Sequence, residues 1–141
     1  MKKLLIDTNI VLDLLAKREP FYPDSAKLFS LADKKQVKLT VSSLTIANTH
    51  YTLMKVKNVA ESKSILRRLK LIVDVLSLDN KVISLALNDT EFEDFEDGIQ
   101  YFTAIENNID IIITRNLKDF KKSIIPVMTS SQFLQTIRSD R

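Results

Sequence analysis

The side chains of this sequence that could do chemistry are mostly acids, amides and hydroxyls. There is no cysteine and one histidine, His50. A thiolate zinc site, an iron–sulfur cluster and a cysteine nucleophile are therefore excluded, and a Ser-His-Asp triad would depend on His50 alone. The single glycine, Gly98, excludes the glycine-rich phosphate loops, which need several glycines where the backbone approaches phosphate. Carboxylates and the ions they bind remain as the main source of chemistry.

The acidic residues are concentrated in one short segment. Six of the nine residues from 89 to 97 are acids and none is basic, whereas the other 132 residues carry 21 basic and 12 acidic side chains. A basic chain with one acidic segment is typical of a protein that attracts a polyanion and holds divalent cations where the polyanion binds. An acidic loop that only improves solubility would give the same count.

The elements that must position these acids can be read from the apolar pattern. Short apolar runs alternate with segments of helical periodicity, and the runs predict strands at 3–6, 37–41, 71–76, 109–114 and 124–128. The first helix is expected at about 9–16, after which 18–23 is expected to be a loop, and the last helix at about 133–137. Strands that alternate with helices predict one α/β domain over residues 1–141, with a parallel sheet covered on both faces.

No targeting or membrane segment is expected. The apolar opening of the chain ends at Asp7, far short of a signal peptide, and no run approaches the ~20 apolar residues of a membrane span. We therefore expect a cytoplasmic protein that does not associate with membranes.

Residues that directly follow the predicted strands are the candidates for a site. In open α/β sheets, ligands bind beyond the carboxyl ends of the strands. Asp94 and Asp97, three residues apart on one face of a predicted helix, can join that edge. The candidates that follow strands are Asp7, Thr8 and Asn9, then Ser42 and Ser43, and finally Thr114, Arg115, Asn116 and Asp119.

Carboxylates from three distant segments would then meet at one edge of the sheet. Like charges brought together raise one another's pKa, so such a cluster is costly without a cation. Oxygen ligands favour Mg²⁺ or Mn²⁺, which can lower the pKa of a bound water and orient it toward a phosphodiester. A purely structural interpretation also fits, in which Asp7 and Asp94 cap helices and Asp97 is a first-turn acid.

Three segments of the sequence resemble the acidic motifs of PIN domains, the nuclease fold of VapC-type toxins. They are residues 4–13 (LLIDTNIVLD), 94–100 (DFEDGIQ) and 113–120 (ITRNLKDF), and their order and spacing match along nearly the whole chain. The resemblance implies a three-layer PIN-like fold with a parallel sheet of about five strands. It also implies a Mg²⁺- or Mn²⁺-dependent endoribonuclease that acts on RNA, commonly a homodimer, with a small antitoxin as partner.

The resemblance assigns Asp7 and Asp97 as metal-binding acids and Asp119 as an additional acid. Two positions depart from the family pattern, because Asn48 stands where many members have glutamate and Asn116 where many have aspartate. An amide oxygen can bind a cation but brings no charge. The predicted catalytic residues are Asp7, Asp94, Asp97 and Asp119; the predicted metal ligands are Asp7, Asp97, Asn116 and Asp119; and substrate contact or support is expected from Thr8, Asn9, Asn48, Thr114 and Arg115.

Two other functions stay open on the sequence. The two asparagines fit an RNA-binding domain of the same fold with weakened catalysis, and Asp7 could instead be the nucleophile of a phosphatase.

Arg115 could hold a phosphate or form a salt bridge to nearby acids. His50 is expected to pack or lie at the surface, and the basic residues between 63 and 70 are expected to form a solvated helix face.

Overall fold

The computed structural model describes residues 1–139. The strands in this range are β1 (Lys3–Ile6), β2 (Lys38–Ser42), β3 (Asp74–Leu76), β4 (Ile111–Ile113) and β5 (Val127–Met128). The helices are α1 (Thr8–Leu15), α2 (Tyr22–Asp33), α3 (Ser43–Leu53), α4 (Val59–Leu69), α5 (Asn80–Asn88), α6 (Phe95–Glu106) and α7 (Ser130–Ser139), with a 3-10 helix at Leu117–Phe120.

The five strands form one parallel sheet in the order β3-β2-β1-β4-β5, which confirms the predicted α/β architecture. β1 lies in the centre, and its last residue, Ile6, is in register with Ile113 at the end of β4. The backbone N–H of Asp7 continues this pairing by donating to the Ile113 carbonyl at 2.9 Å. Residues that follow β1 and β4 are therefore neighbours at one edge of the sheet.

Both faces of the sheet are covered, as a three-layer fold requires. Leu4 and Ile6 of β1 point into a core with α1, α2, α3, α4 and α7, whereas Leu5 points into a second core with α6. This alternation follows from the two-residue repeat of a strand, and because both faces are buried the strands read as continuous apolar runs. None of the helices within residues 1–139 has the length and apolar composition of a membrane span.

The element boundaries differ from the prediction at several places. The expected loop at 18–23 ends earlier, because α2 begins at Tyr22 and carries Pro23 in its first turn, where a proline costs no hydrogen bond. β3 begins at Asp74 rather than at 71, since the backbone N–H groups of Ile72 and Val73 still donate to Leu69 at the end of α4. β4 and β5 are shorter than expected, and α7 is longer.

Candidate active site

A cleft of about 480 Å³ opens beyond the carboxyl ends of the strands. Its lining comes from the start of α1, from α3, from the start of α6 and from the segment after β4, so that distant parts of the sequence meet in it. The predicted site residues that line it are Asp7, Thr8, Asn9, Asn48, Asp94, Asp97, Asn116 and Asp119.

Asp7 is the N-cap of α1 and is held at both of its carboxylate oxygens. Oδ1 accepts the backbone N–H of Thr8 at 2.8 Å, and Oδ2 accepts the hydroxyl of Thr114 at 2.9 Å. Burial raises the pKa of Asp7, the hydrogen bonds from Thr114 and Thr8 lower it, and the charge of Asp119 raises it again, with a net upward shift. The result is a fixed, partly desolvated carboxylate.

The start of α6 supplies two more acids. Asp94 is the N-cap of α6, where its Oδ1 accepts the backbone N–H of Asp97 at 3.0 Å. Burial, together with the nearby charges of Asp94, Asp7 and Asp119, raises the pKa of Asp97 to about 7. The capping roles considered for Asp7 and Asp94 are therefore real, and they are compatible with a role in the cleft because a cap leaves lone pairs free.

The segment after β4 reaches the cleft through a short chain of hydrogen bonds. Thr114 is fully buried, and its hydroxyl, besides donating to Asp7, accepts the backbone N–H of Asn116 at 3.1 Å. The Asn116 carbonyl in turn accepts the backbone N–H of Asp119 at 3.0 Å. Thr114 thus lies beneath the cleft as a support, and it fixes the turn that presents Asn116 and Asp119.

Two residues that support the site were missed by sequence reasoning. Thr45 of α3 is buried, lies 3.0 Å from the Thr8 hydroxyl and accepts the side-chain N–H of Gln100 at 2.9 Å. Gln100 also lowers the pKa of Asp7 through a side-chain hydrogen bond. The spacing of three residues from Asp97 to Gln100 could have placed Gln100 on the same helix face, whereas nothing in the sequence singles out Thr45.

Charged residues that the prediction did not include also line the cleft. They are Glu96, beside the acids of α6, and the two basic residues Arg18 and Lys55. Arg18 follows α1 and Lys55 follows α3, and neither belongs to one of the three acidic motifs. Their place in the cleft results from the packing of α1 against α3.

Arg115 points away from the cleft. Its Nε lies 3.1 Å from Oδ2 of the fully buried Asp13, and its guanidinium carbon is 4.0 Å from the centre of the Phe21 ring. The pair lines a separate cavity of about 280 Å³. Burial raises the pKa of Asp13, while the charges of Arg115 and Arg18 lower it, with a net upward shift. Of the two roles considered for Arg115, the structure therefore places it in the salt bridge.

The remaining candidates of the sequence lie outside the cleft lining. His50 is half-buried on α3. The basic residues of and just after α4, Lys63, Arg67, Arg68 and Lys70, are exposed, as expected for a solvated helix face.

The cleft residues fit a hard divalent cation. The donors are carboxylate and amide oxygens, and the buried Oε1 of Gln100 in the cleft has no hydrogen-bond partner. The acids raise the pKa of Asp97, so a cation among them would relieve their repulsion. No three acidic or histidine side chains within residues 1–139 already form a tight cluster of metal ligands, so these side chains would have to move closer to bind one.

A protein-family profile and a known ribonuclease both match the sequence of this chain. A profile described as PIN domain matches residues 3–118. Ribonuclease VapC1 of Aquifex aeolicus is 26% identical over 141 residues, which covers 95% of this chain and 94% of that protein.

Solved structures share the fold at lower identity. A toxin–antitoxin complex from Klebsiella pneumoniae aligns with a TM-score of 0.69 and 21% identity, covering 90% of this chain and 97% of that one. VapBC2 from Rickettsia felis, bound to a DNA fragment from its promoter, aligns with a TM-score of 0.68 and 22% identity, covering 89% and 96%. The family profile spans most of the chain, including the acidic positions Asp7 and Asp97, and the chain belongs to the PIN domain family.

Proposed function

We propose that this protein is a Mg²⁺- or Mn²⁺-dependent endoribonuclease and the toxin of a toxin–antitoxin pair. One observation carries the proposal: Asp7, Asp97 and Asp119, from three distant segments, line one cleft, and none of them is in an ion pair among the described residues. Besides burial, the charge of Asp119 raises the pKa of both Asp7 and Asp97. Uncompensated carboxylates of this kind are costly unless they bind a cation. The curated relative is a ribonuclease.

Asp7, Asp97, Asn116 and Asp119 are the residues that would hold the metal in this proposal. A bound divalent cation supplies a water of lowered pKa and a counter-charge for a phosphodiester. Thr114 and the backbone N–H of Thr8 fix the orientation of the Asp7 carboxylate, and Gln100 supports it from α6. Asp94 adds negative charge beside Asp97 and holds the first turn of α6 in place.

The like charge around Asp7 favours the role of a cation ligand over that of a phosphatase nucleophile. Asp119 and Asp97 line the same cleft, and without a cation their charges would repel the phosphate that a nucleophile has to attack. The second candidate, an RNA-binding protein with weakened catalysis, is favoured by the presence of amides at Asn48 and Asn116 in the cleft lining. With amides at these two positions the cleft would bind a cation more weakly, but Asp7, Asp97 and Asp119 would remain as charged ligands.

An antitoxin partner is part of the proposal. The structural neighbours from Klebsiella pneumoniae and Rickettsia felis are toxin–antitoxin assemblies, and the second is bound to DNA of its own promoter. We propose a small DNA-binding antitoxin for this protein as well. The homodimer expected from the family resemblance stays a prediction.

Cleavage of end-labelled RNA by the purified protein tests the proposal, with Mn²⁺, with Mg²⁺ and with excess EDTA. We expect internal cleavage that requires the metal and stops in EDTA. A protein that binds the RNA but leaves it intact at saturating metal would support the weakened RNA-binding alternative instead. A trapped aspartyl-phosphate on Asp7 would support the phosphatase.

A further inference from the structure

The ion pair of Asp13 and Arg115 lines a cavity of about 280 Å³ that is separate from the cleft. The other walls of this cavity come from α1, from the start of α2 and from the start of α7, where Ser130 and Ser131 line it. The cavity shares no lining residue with the candidate active site. A molecule bound here would therefore be a further ligand of the protein, independent of the proposed function.

Asp13 has hydrogen-bonding capacity that the protein itself leaves unused. Its side chain is fully buried, and within residues 1–139 neither of its carboxylate oxygens accepts a hydrogen bond. Nε of Arg115 lies 3.1 Å from Oδ2, but its N–H does not point along a hydrogen bond. Nearly all buried polar atoms of native proteins have a hydrogen-bond partner. The exception at Asp13 therefore points to a donor that a bound molecule supplies.

Ser130 provides a second observation at the same cavity. It is 7% exposed, and its Oγ has no hydrogen-bond partner in the described part of the chain. The hydroxyl of Ser25, which also lines the cavity, differs because it donates to the Ile10 carbonyl at 3.3 Å. Two buried polar side chains without hydrogen bonds thus belong to one cavity.

The charges of the lining favour a cation as the ligand. Among the described residues, two acids, Asp13 and Asp24, and one base, Arg115, line the cavity, and Asp24 is in no ion pair. The N-terminus of α7 favours an anion, but a helix end contributes only about half a positive charge. The net charge of the lining therefore stays negative.

The cavity also has an apolar wall, to which Ile10 and Phe21 contribute. Phe21 is 40% exposed, and the guanidinium carbon of Arg115 lies 4.0 Å from the centre of its ring. Cations bind to the faces of aromatic rings at such distances. The protein's own arginine thus shows that this wall accepts a cationic group on an apolar stem.

From these features we propose that the cavity is a binding site for a protonated primary amine that carries a small apolar group. An ammonium group has three N–H donors, and these supply Oδ1 of Asp13 and Oγ of Ser130. The apolar group packs against Ile10 and Phe21. Arg115 is the side chain that shifts to admit the ammonium, since it is 27% exposed whereas Asp13 has no exposed surface.

Titration of the protein with phenethylammonium, followed in proton–nitrogen NMR spectra, tests the site. Phenethyl alcohol and hydrocinnamate are the matched probes, because they keep the phenyl ring and replace the ammonium by a neutral and by a negative group. We expect phenethylammonium at millimolar concentration to cause saturable shifts of the backbone amide signals of Ser130 and Ser131. The two matched probes should cause smaller shifts that do not saturate.

Variants of the ion pair should change the affinity for phenethylammonium in opposite directions. Asp13→Asn should weaken binding by at least about tenfold, because it replaces the charged acceptor by an amide. Arg115→Met should tighten binding, because it removes the cation that competes for Asp13, and this result decides the test if Asp13→Asn does not fold. Arg67→Met removes the same charge from the exposed face of α4 and should bind like the parent.

Three results would overturn the amine site. Equal affinities for phenethylammonium and phenethyl alcohol would show that the cavity selects only apolar groups, and tighter binding of hydrocinnamate would show that it is an anion site. An absence of saturable shifts, or an affinity that is the same in the parent, Asp13→Asn and Arg115→Met, would show that no ammonium binds to Asp13. None of these results changes the expected cleavage of RNA by the parent, so the proposed function is tested separately.

Discussion

The fully buried Asp13 and the half-buried Asp97 show that charged groups are paired differently in two regions of this protein. Asp13 is fully buried, and its pKa is raised by burial but pulled back by the guanidinium groups of Arg115 and Arg18. Asp97 is also partly buried, but its neighbours are Asp94, Asp7 and Asp119, which raise its pKa further, to about 7. One acid is compensated by the protein's own cations, and the other is surrounded by like charge.

The difference separates a structural acid from a functional one. The ion pair of Asp13 and Arg115 joins α1 to the segment after β4. A group of acids without paired cations destabilises the metal-free fold, and this repulsion favours the binding of a ligand of opposite charge. We therefore expect that breaking the ion pair of Asp13 and Arg115 lowers stability, and that removing an acid of the cleft weakens metal binding.

The largest expected effect is on catalysis. Asp7→Asn and Asp97→Asn should each lower metal-dependent RNA cleavage by at least about a hundredfold, because each removes a proposed charged ligand of the cation. The measurement is the single-turnover rate on labelled RNA at saturating protein and Mn²⁺. Circular dichroism should show that both variants keep the fold. Cleavage by either variant at the rate of the parent would remove that residue from the active site.

The next largest effect is a loss of stability when the ion pair of Asp13 and Arg115 is broken. Arg115→Met should lower the free energy of unfolding by about 2 kcal/mol, since it leaves the fully buried Asp13 carboxylate without its ion-pair partner. The loss stays below that of a fully buried pair because the Arg115 side chain is 27% exposed. Urea denaturation measures it.

A double variant of the same pair provides the control. Asp13→Leu with Arg115→Met should recover most of the lost stability, because apolar side chains can replace a buried ion pair at little cost. If the double variant is no more stable than Arg115→Met, the side chains act through packing and not through their charges.

An added carboxylate in the cleft should raise its affinity for Mn²⁺. Asn48 lines the cleft, so Asn48→Glu should tighten Mn²⁺ binding by about tenfold once the cost of desolvating the new carboxylate is deducted. Asn48→Gln keeps the amide and is the matched control. A Kd that is the same in Asn48→Glu and in the parent would mean that Asp94 already supplies the missing charge, and Asp94→Asn should then weaken binding.

The last effect is the pH dependence of stability. The pKa of Asp97 rises from 3.8 to about 7 in the metal-free fold. The contribution of this side chain to the free energy of unfolding is therefore fully present below pH 3.8 and is lost as the pH rises through about 7. Asp97→Asn should therefore have the Tm of the parent at low pH and a higher Tm above neutral pH. Thermal unfolding in EDTA measures this, and parallel curves for the two proteins would show that Asp97 is not under charge repulsion.

The elements and the acids of the cleft could be predicted from the sequence because each rests on a local signal. Ile6 ends an apolar run, and Asp7 follows it at once, so the rule that ligands bind beyond strand ends identifies the residue. The spacing of Asp94 and Asp97 on one helix face works in the same way.

The rest of the site depends on contacts that no local pattern encodes. Thr45 meets Thr8 and Gln100 only because α3 packs against α1 and α6 comes close to both. Asp13 finds Arg115 across 102 positions of the chain, so the ion pair that turns Arg115 away from the cleft is a tertiary property. The early start of α2 was missed because its proline was interpreted as a loop signal.

Calorimetric titration of Mn²⁺ into the parent, Asp97→Asn and Asp13→Asn tests most directly whether the uncompensated acids form a cation site. The parent and Asp13→Asn should bind Mn²⁺ with the same Kd, whereas Asp97→Asn should bind it at least about ten times more weakly. Three equal affinities, or no binding to the parent at millimolar Mn²⁺, would contradict the account.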